Sequence, residues 1–199
     1  MKFVLATNNR KKLLEMREIL SGSGIELVTL AELGAEVNPE ETGDTFEENA
    51  EIKARAAMEA TGLPSMADDS GLCVDALDGA PGVRSARYGG FEGKPDAERN
   101  KFLLEQMEKH EVRTARFVCA VVGVFPDGKI ISARGEIAGE IQRECEGEGG
   151  FGYDPLFYVP EYNTTMAGIP AETKNRISHR ARALAEFRAS LKKYLEADI

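Results

Sequence analysis

"KFVLATNNRKKLLEMREILSGSGIELVTL", residues 2–30, decides the fold class. An apolar run over residues 2–6 predicts a short strand, and a polar break follows it. From Lys11 onward, leucine and methionine recur at helical spacing until two glycines end the segment. Residues 25–30 predict a second strand. A strand, a turn, a helix and a strand in this order are typical of the start of an α/β fold.

Three more helices are predicted from capping residues and periodicity. Thr45 with Glu48 three residues on fits a capping box, which predicts a helix that ends at Gly62. Apolar residues at helical spacing predict a helix over residues 96–111 and a last helix from about residue 178.

The second half of the chain supplies the longest predicted strand. Residues 114–125 are apolar on both alternating faces, which indicates a central strand, and Pro126-Asp127-Gly128 is typical of a turn. Residues 129–137 return as its partner, and residues 144–169 are interpreted as a loop. We therefore predict a single α/β domain over residues 1–199, with a mixed, mostly long twisted sheet and flanking helices.

Composition narrows the function classes. The chain has 199 residues, of which 42% are hydrophobic and 30% charged, and its formal net charge is −9. This balance argues against nucleic-acid binding, which needs a basic face. No apolar run approaches the roughly 18 residues of a membrane span, and the first residues resemble a strand more than a signal peptide. We expect neither a nucleic-acid partner nor a membrane partner.

The three cysteines, Cys73, Cys119 and Cys145, are widely spaced and form no CxxC pair. Their odd number argues against a disulfide framework, and their spacing argues against a thiolate zinc site. We therefore expect a cytoplasmic protein.

Two apparent nucleotide motifs fail on their context. Residues 147–152 fit GxGxxG, but Asp154-Pro155 follows where the dinucleotide fingerprint needs a helix. Residues 89–94 resemble a phosphate loop, yet they are one residue short and Pro95 stands where Ser or Thr would bind magnesium.

Two adjacent acids, Asp68 and Asp69, follow a possible short strand and precede Ser70, in a stretch interpreted as a loop. They either cap a turn or hold a metal ion against a substrate. Mg²⁺ prefers carboxylate oxygens together with phosphate and water ligands. In an extended backbone the two side chains would point in different directions, so we expect one to bind the metal and the other to assist.

Other candidate groups each allow a simpler interpretation. The turn at residues 7–12 leads into a helix with cations in its first turn, so it could bind an anion or merely cap the helix. Glu40 could be a ligand or a solvated loop residue, and Lys53 could be a surface ion-pair partner. Residues 151–154 could stack on a nucleobase or pack in the core. Ser178, at the start of the last helix, could simply cap it.

Five segments together resemble one family, the inosine triphosphate pyrophosphatases, in the same order along the chain. They are "FVLATNNRKKLLEM", "PEETGDTFEENAEIKA", "ADDSGLCVDALDGAPGVRSARYGG", "GGFGYDPLF" and "AETKNRISHRARAL". The resemblance implies a homodimer of two α/β lobes around a central active-site cleft. It also implies Mg²⁺-dependent hydrolysis of ITP, dITP and XTP to the monophosphate and pyrophosphate.

The resemblance further implies a role for each matching residue. The triphosphate would be held by Thr7, Asn8, Asn9, Arg10, Lys11, Lys12 and Lys53, where Asn8 replaces the usual glycine of the family. Glu40 and Asp69 would bind the metal, Asp69 would also be the base for water with Asp68 as helper, and Ser70 would touch the substrate. The base pocket would comprise Phe151, Gly152, Tyr153, Asp154, Lys174, His179 and Arg180, with Phe151 stacking on the purine.

Rejection of ATP requires groups that read the 6-oxo position of the purine. We hypothesise that His179, Arg180 and the backbone near Asp154 donate there, since a buried donor left unpaired by ATP costs about 1–3 kcal/mol. Two other functions compatible with these residues are a pyrophosphatase for modified pyrimidine or methylated nucleotides and a nucleotide-binding protein without catalysis.

Overall fold

The computed structural model describes residues 1–197, which form seven strands and five α-helices. The strands are β1 (Lys2–Leu5), β2 (Glu26–Thr29), β3 (Ser65–Val74), β4 (Thr114–Val124), β5 (Ile130–Ile141), β6 (Phe157–Val159) and β7 (Thr164–Thr165). The helices are α1 (Arg10–Ile19), α2 (Phe46–Thr61), α3 (Asp96–Gln106), α4 (Ala171–Ile177) and α5 (His179–Ala197).

All seven strands belong to one sheet, in the order β2-β1-β3-β4-β5-β6-β7. β1 pairs in parallel with β2 and β3, whereas β6 pairs antiparallel with β5 and β7. The predicted α/β class with a mixed sheet is therefore confirmed. No helix within residues 1–197 is both long and apolar enough to cross a membrane.

The predicted capping box is present and fixes the start of α2. Thr45 Oγ1 accepts from the Glu48 amide at 3.2 Å, and Glu48 Oε2 accepts from the Thr45 amide at 3.0 Å. Gly62 closes the helix in the left-handed region at φ 66°. Because both ends are defined by local residues, the sequence was sufficient to place this helix.

The chain divides into two compact units, and the boundaries between them fall within β3, β4 and β5 and just before α5. Unit 1 comprises Met1–Asp69, Cys119–Gly135 and the chain from His179 onward; unit 2 comprises Ser70–Val118 and Glu136–Ser178.

Unit 1 has a buried core on each face of β1. Phe3 packs with Met16 of α1 and Phe187 of α5, whereas Val4 packs with Ala50, Ala54 and Ala57 of α2. This division follows from the two-residue period of a strand, which sends successive side chains to opposite faces. Unit 2 has its own core, which includes Leu72, Leu103, Met107, Phe117, Tyr153 and Phe157.

Several predicted boundaries were wrong. The helix predicted over residues 96–111 ends at Gln106, with buried Met107 as its C-cap. The partner strand predicted over residues 129–137 continues to Ile141. The predicted loop over residues 144–169 contains β6 and β7, and α4 was not predicted. These elements have two to seven residues, too few to show a period in the sequence.

The most consequential correction concerns Asp68 and Asp69. Both lie within β3 and not on a loop, and every residue of this strand except Ser70 is buried. Carboxylates are rare in buried strands, which is why the sequence favoured a loop. The strand tolerates them because cations from three helices neutralise them there.

Candidate active site

Unit 1 contains a group of paired charges around the two acids of β3, called here the charged cluster. The strand divides these acids between two faces, because residues two apart share a face. Met66 faces the core formed with α1 and α5, and Asp68 follows it; Ala67 faces the core formed with α2, and Asp69 follows it. The charged cluster comprises Lys12, Glu15, Glu41, Lys53, Asp68, Asp69 and Arg180.

Asp68 is 1% exposed and is held by two cations. Its Oδ2 lies 3.0 Å from Lys12 Nζ of α1 and 3.1 Å from Arg180 Nη2 of α5. Burial alone would raise the pKa of Asp68, but Lys12, Arg180 and Lys53 together hold it below its usual value. Asp68 is therefore an ionised, fixed carboxylate at neutral pH.

Arg180 is also only 1% exposed and connects two acids. Beyond its bonds to Asp68, its Nη1 pairs with Glu15 Oε2. Its pKa is raised because Asp68 and Glu15 outweigh the effect of burial. The structure thus places all three nitrogens of the Arg180 guanidinium against carboxylates of the charged cluster.

Asp69 has a different environment from its neighbour. Its Oδ1 lies 3.1 Å from Lys53 Nζ of α2, which also lies 3.1 Å from Glu41 Oε1. Burial raises the pKa of Asp69, and Lys53 and Lys12 offset this only in part. Within the part of the chain that the structure describes, its buried Oδ2 has no hydrogen-bond partner, and the same holds for Oδ1 of Asp68. Asp69 differs from Asp68 in pairing with one cation instead of two, so it is the less neutralised of the two acids.

The Oδ2 atom of Asp69 bears on whether a metal ion fits. Among residues 1–197, no three or more His, Cys, Asp or Glu side chains are grouped so that they could enclose an ion. Mg²⁺ commonly takes one or two carboxylates and completes its shell with phosphates and water, so a single free oxygen on Asp69 suits it. Glu40 is an exposed side chain in the loop before α2.

The turn that precedes α1 is organised by its own side chains. Asn9 Oδ1 accepts from the Lys11 and Lys12 amides at 3.0 and 3.2 Å, and Thr7 Oγ1 accepts from the Asn9 amide at 3.2 Å. An anion at this turn would therefore meet the exposed side chains of Arg10 and Lys11 more readily than these amides.

Asn8 occupies the position at which the family usually has glycine. Within residues 1–197, the only non-glycine residues with positive φ are Asp78 and Asn163. The turn at Asn8 therefore does not use the left-handed conformation that glycine would favour.

Unit 2 contains the second candidate group, a short turn over residues 151–154 that we call the Phe151 turn. Asp154 is 3% exposed, and its Oδ2 accepts from the Phe151 amide and from Lys174 Nζ, both at 2.8 Å. Lys174 Nζ also lies 4.9 Å from the centre of the Phe151 ring, within the range of a cation–π contact. The aromatic ring and its neighbouring charge are thus fixed together.

Glycine is required beside this turn. Gly150 has φ 71°, and a Cβ at this position would lie 2.0 Å from Asp154 Oδ2. Tyr153 is buried, and its hydroxyl donates to the Ser85 carbonyl at 3.0 Å. Burial raises the pKa of Tyr153, so the phenol stays protonated and anchors the turn to the core.

The remaining predicted residues take simpler positions. His179 is buried as the first residue of α5, and Ser70 is half-buried directly after Asp69. Three neighbours of the acids were not predicted: Glu15, Glu41 and Cys119. Glu15 could have been found from its spacing of three from Lys12, which places both on one side of α1. Cys119 Sγ lies 3.9 Å from Asp68 Oδ2, and burial raises its pKa to about 12.

Comparisons with known proteins agree with the sequence resemblance. Residues 3–190 match the model of the Ham1 family. A protein of Desulforamulus reducens named dITP/XTP pyrophosphatase is 52% identical over 186 residues, 92% of each chain. One of the same name from Thermus thermophilus is 52% identical over 196 residues, 98% of this chain and 92% of its own. The solved structure of a HAM1 protein from Coxiella burnetii has a TM-score of 0.88 at 43% identity, covering 97% of this chain and 99% of its own.

Proposed function

The chain belongs to the Ham1 family, and we propose that it is a nucleoside-triphosphate pyrophosphatase that hydrolyses dITP, ITP and XTP to the monophosphate and pyrophosphate. Its relatives named dITP/XTP pyrophosphatases support this substrate class. The observation that carries the proposal is the pair of adjacent acids, of which Asp68 is held by two cations, Lys12 and Arg180, while Asp69 pairs with Lys53.

The charged cluster suits the phosphate end of such a substrate. Lys12 and Lys53, with residues 7–11 at the start of α1, would bind the triphosphate. Asp69 orients a water molecule and accepts its proton as the oxygen attacks the α-phosphorus. The bond from the α-phosphorus to the oxygen that bridges to the β-phosphorus then breaks, and pyrophosphate leaves with the electron pair. A base needs a pKa near the working pH, and the raised pKa of Asp69 is in that direction.

We propose Mg²⁺ as the metal, with Asp69 and Glu40 as the residues that would hold it. When bound, it supplies Lewis-acid stabilisation of charge on the phosphoryl oxygens. Lys12 and Lys53 stabilise that same charge from the protein side, because their ammonium groups are fixed by buried carboxylates. Asp68 keeps Lys12 in place and does not itself need to exchange a proton.

The Phe151 turn suits the base end. Phe151 would stack on the purine, and Lys174 and the backbone near Asp154 would face its edge; Ser70 would touch the substrate. The hypothesis that His179 and Arg180 donate to the 6-oxo group stays open to test. Replacing the two residues should reduce the preference for ITP over ATP, and an unchanged preference would refute that assignment.

Pyrophosphate release from ITP and ATP at equal concentration tests the proposed function, first with Mg²⁺ and then with EDTA. We expect metal-dependent turnover of ITP with IMP as the second product, and little turnover of ATP. Orthophosphate release, or equal turnover of both nucleotides, would contradict the assigned reaction or its specificity. Binding of ITP without turnover would instead favour a non-catalytic nucleotide-binding protein.

Two properties of the whole protein complete the proposal. We place the enzyme in the cytoplasm, where its three cysteines would stay reduced. We also propose a homodimer, which light scattering coupled to size-exclusion chromatography would test; a monomer mass near 21.7 kDa would contradict it.

A further inference from the structure

Two side chains from the first half of α3 form hydrogen bonds with Gly152 in the Phe151 turn. The Gly152 amide donates to Asp96 Oδ2 at 2.8 Å, and the Gly152 carbonyl accepts from Asn100 Nδ2 at 3.1 Å. Asp96 and Asn100 are four residues apart on α3, so their side chains leave the same side of the helix. Both peptide planes that flank Gly152 are therefore fixed by one rigid element.

The backbone conformation at Gly152 makes these two hydrogen bonds important for the shape of the turn. Gly152 has φ 64°, a left-handed conformation that reverses the chain between the Phe151 ring and Asp154. A turn of this kind is set by two peptide orientations, and Asp96 and Asn100 hold one each. The Asp154 carboxylate holds the Phe151 amide, and the Asp154 amide donates to the Phe151 carbonyl at 3.2 Å. Neither bond involves Gly152, whose own amide and carbonyl are held by α3.

Folding stability alone does not explain an asparagine at position 100. It is 3% exposed, and its Oδ1 is buried with no hydrogen-bond partner among residues 1–197. An unsatisfied buried acceptor disfavours folding, and an apolar side chain of the same size would avoid that cost. A positioning function at Gly152 accounts for an asparagine at this place.

Asp96 is itself held. Its Oδ1 pairs with Arg99, and Arg99 Nη1 donates to the Ala86 carbonyl at 2.9 Å. Asp96 also lies in the first turn of α3, where a negative charge is favoured by the helix dipole. Its carboxylate therefore reaches Gly152 from a fixed position.

We propose that Asp96 and Asn100 are positioning residues that set the preference for the purine base by fixing the Phe151 turn. This inference rests on the proposed function, since it assigns the turn to the base end of the substrate. Neither residue needs to touch the nucleotide. Their effect passes through the orientation of the Gly152 peptides.

The test compares Asn100→Leu with Lys101→Ala, an exposed neighbour on the same helix, as the matched control. Asn100→Leu removes the bond to Gly152 together with the unsatisfied oxygen, so we expect the variant to fold. We expect the ratio of kcat/KM for ITP to that for ATP to fall by about tenfold, less than the roughly 10²-fold that a misplacement of about 1 Å can cost. The change should lie in KM for ITP, with kcat/KM for ATP unchanged.

A second variant, Asp96→Asn, keeps the side-chain shape and weakens the bond to the Gly152 amide, and a smaller fall in the same ratio is expected. Thermal unfolding of each variant accompanies the kinetics. A purely structural role would lower Tm and reduce ITP and ATP turnover equally, and that result would overturn the inference. An unchanged ratio in both variants would do so too.

The ITP preference of the wild-type enzyme distinguishes failure of the proposed function from failure of this inference. If the wild-type enzyme shows no preference for ITP over ATP, the proposed function fails and takes this inference with it. If the wild-type enzyme prefers ITP and both variants keep that preference, only the positioning role of Asp96 and Asn100 is refuted.

Discussion

The charged cluster of unit 1 and the Phe151 turn of unit 2 are built in opposite ways. The charged cluster joins ionised side chains from α1, α2, β3 and α5, and its geometry comes from ion pairs. The Phe151 turn is one short segment whose backbone groups are held by Asp96, Asn100 and Asp154. Fixed charges suit the binding of phosphate groups, which every nucleotide carries. Fixed backbone groups suit the recognition of a base, because they can distinguish the hydrogen-bonding edge of one base from that of another. Apart from Arg180, which the 6-oxo hypothesis also assigns to the base, changes in the first region should alter the reaction rate, and changes in the second should alter the preference for the base.

The largest expected effect is on the reaction rate, from Asp69→Asn. Removing the proposed base should lower pyrophosphate release from ITP by about 10²–10⁴-fold, the usual contribution of general base catalysis. The ITP:ATP preference of the residual activity should stay unchanged. Glu59→Gln, an exposed change on α2, is the matched control. Activity of Asp69→Asn near that of the control would remove Asp69 from the catalytic role.

Arg180→Ala should have the largest effect on stability. It leaves Asp68 and Glu15 as buried acids without their shared cation, and breaking a buried ion pair in this way costs about 3–5 kcal/mol. Urea denaturation would measure the free energy of unfolding, with exposed Arg188→Ala on the same helix as the control. A loss below about 1 kcal/mol, the value of a surface pair, would show that the ion pairs do not stabilise unit 1.

Gly150→Ala tests the second region. The added Cβ meets the Asp154 carboxylate and must adopt a left-handed backbone, so the turn has to shift. We expect the ITP:ATP ratio of kcat/KM to fall by about tenfold or more, because substrate positioning at this scale changes rates steeply. Gly128→Ala, also at positive φ but with no atoms within 4 Å of the added Cβ, controls for backbone strain alone. Equal ratios in the two variants would contradict the role of the turn.

The smallest expected effect is from Phe151→Leu. Leucine keeps part of the apolar contact, so loss of base stacking should cost about 1 kcal/mol of binding, the lower end of the range for alanine substitution, seen as a higher KM for ITP at nearly constant kcat. XTP should be affected similarly, since every purine has a face to stack on. A lower kcat at constant KM would instead place Phe151 at the phosphate end of the substrate. It would contradict the assignment of rate to the charged cluster and of base recognition to the Phe151 turn.

The sequence alone supported those parts of the fold and site that depend on neighbouring residues. The capping box at Thr45, the glycine at the end of α2 and the apolar faces of β4 are all local signals, and the structure agrees with each. The approach of Arg180 to Asp68, 112 residues away along the chain, has no local signature. Likewise, no local signature shows that the chain places Asn100 beside Gly152. Such contacts depend on the packing of elements that a single sequence does not pair.

The placement of the two acids on one strand has a consequence for how this site can change. β3 is aligned with β1 by pairing Val4 with Ser65 and Leu5 with Met66. That register alone determines which acid meets α1 and α5 and which meets α2. A point substitution can weaken either carboxylate but cannot exchange their environments. Deleting Ala67 would instead move Asp69 into the place held by Lys12 and Arg180. Substitutions therefore leave each acid in its own environment, whereas a single-codon deletion does not.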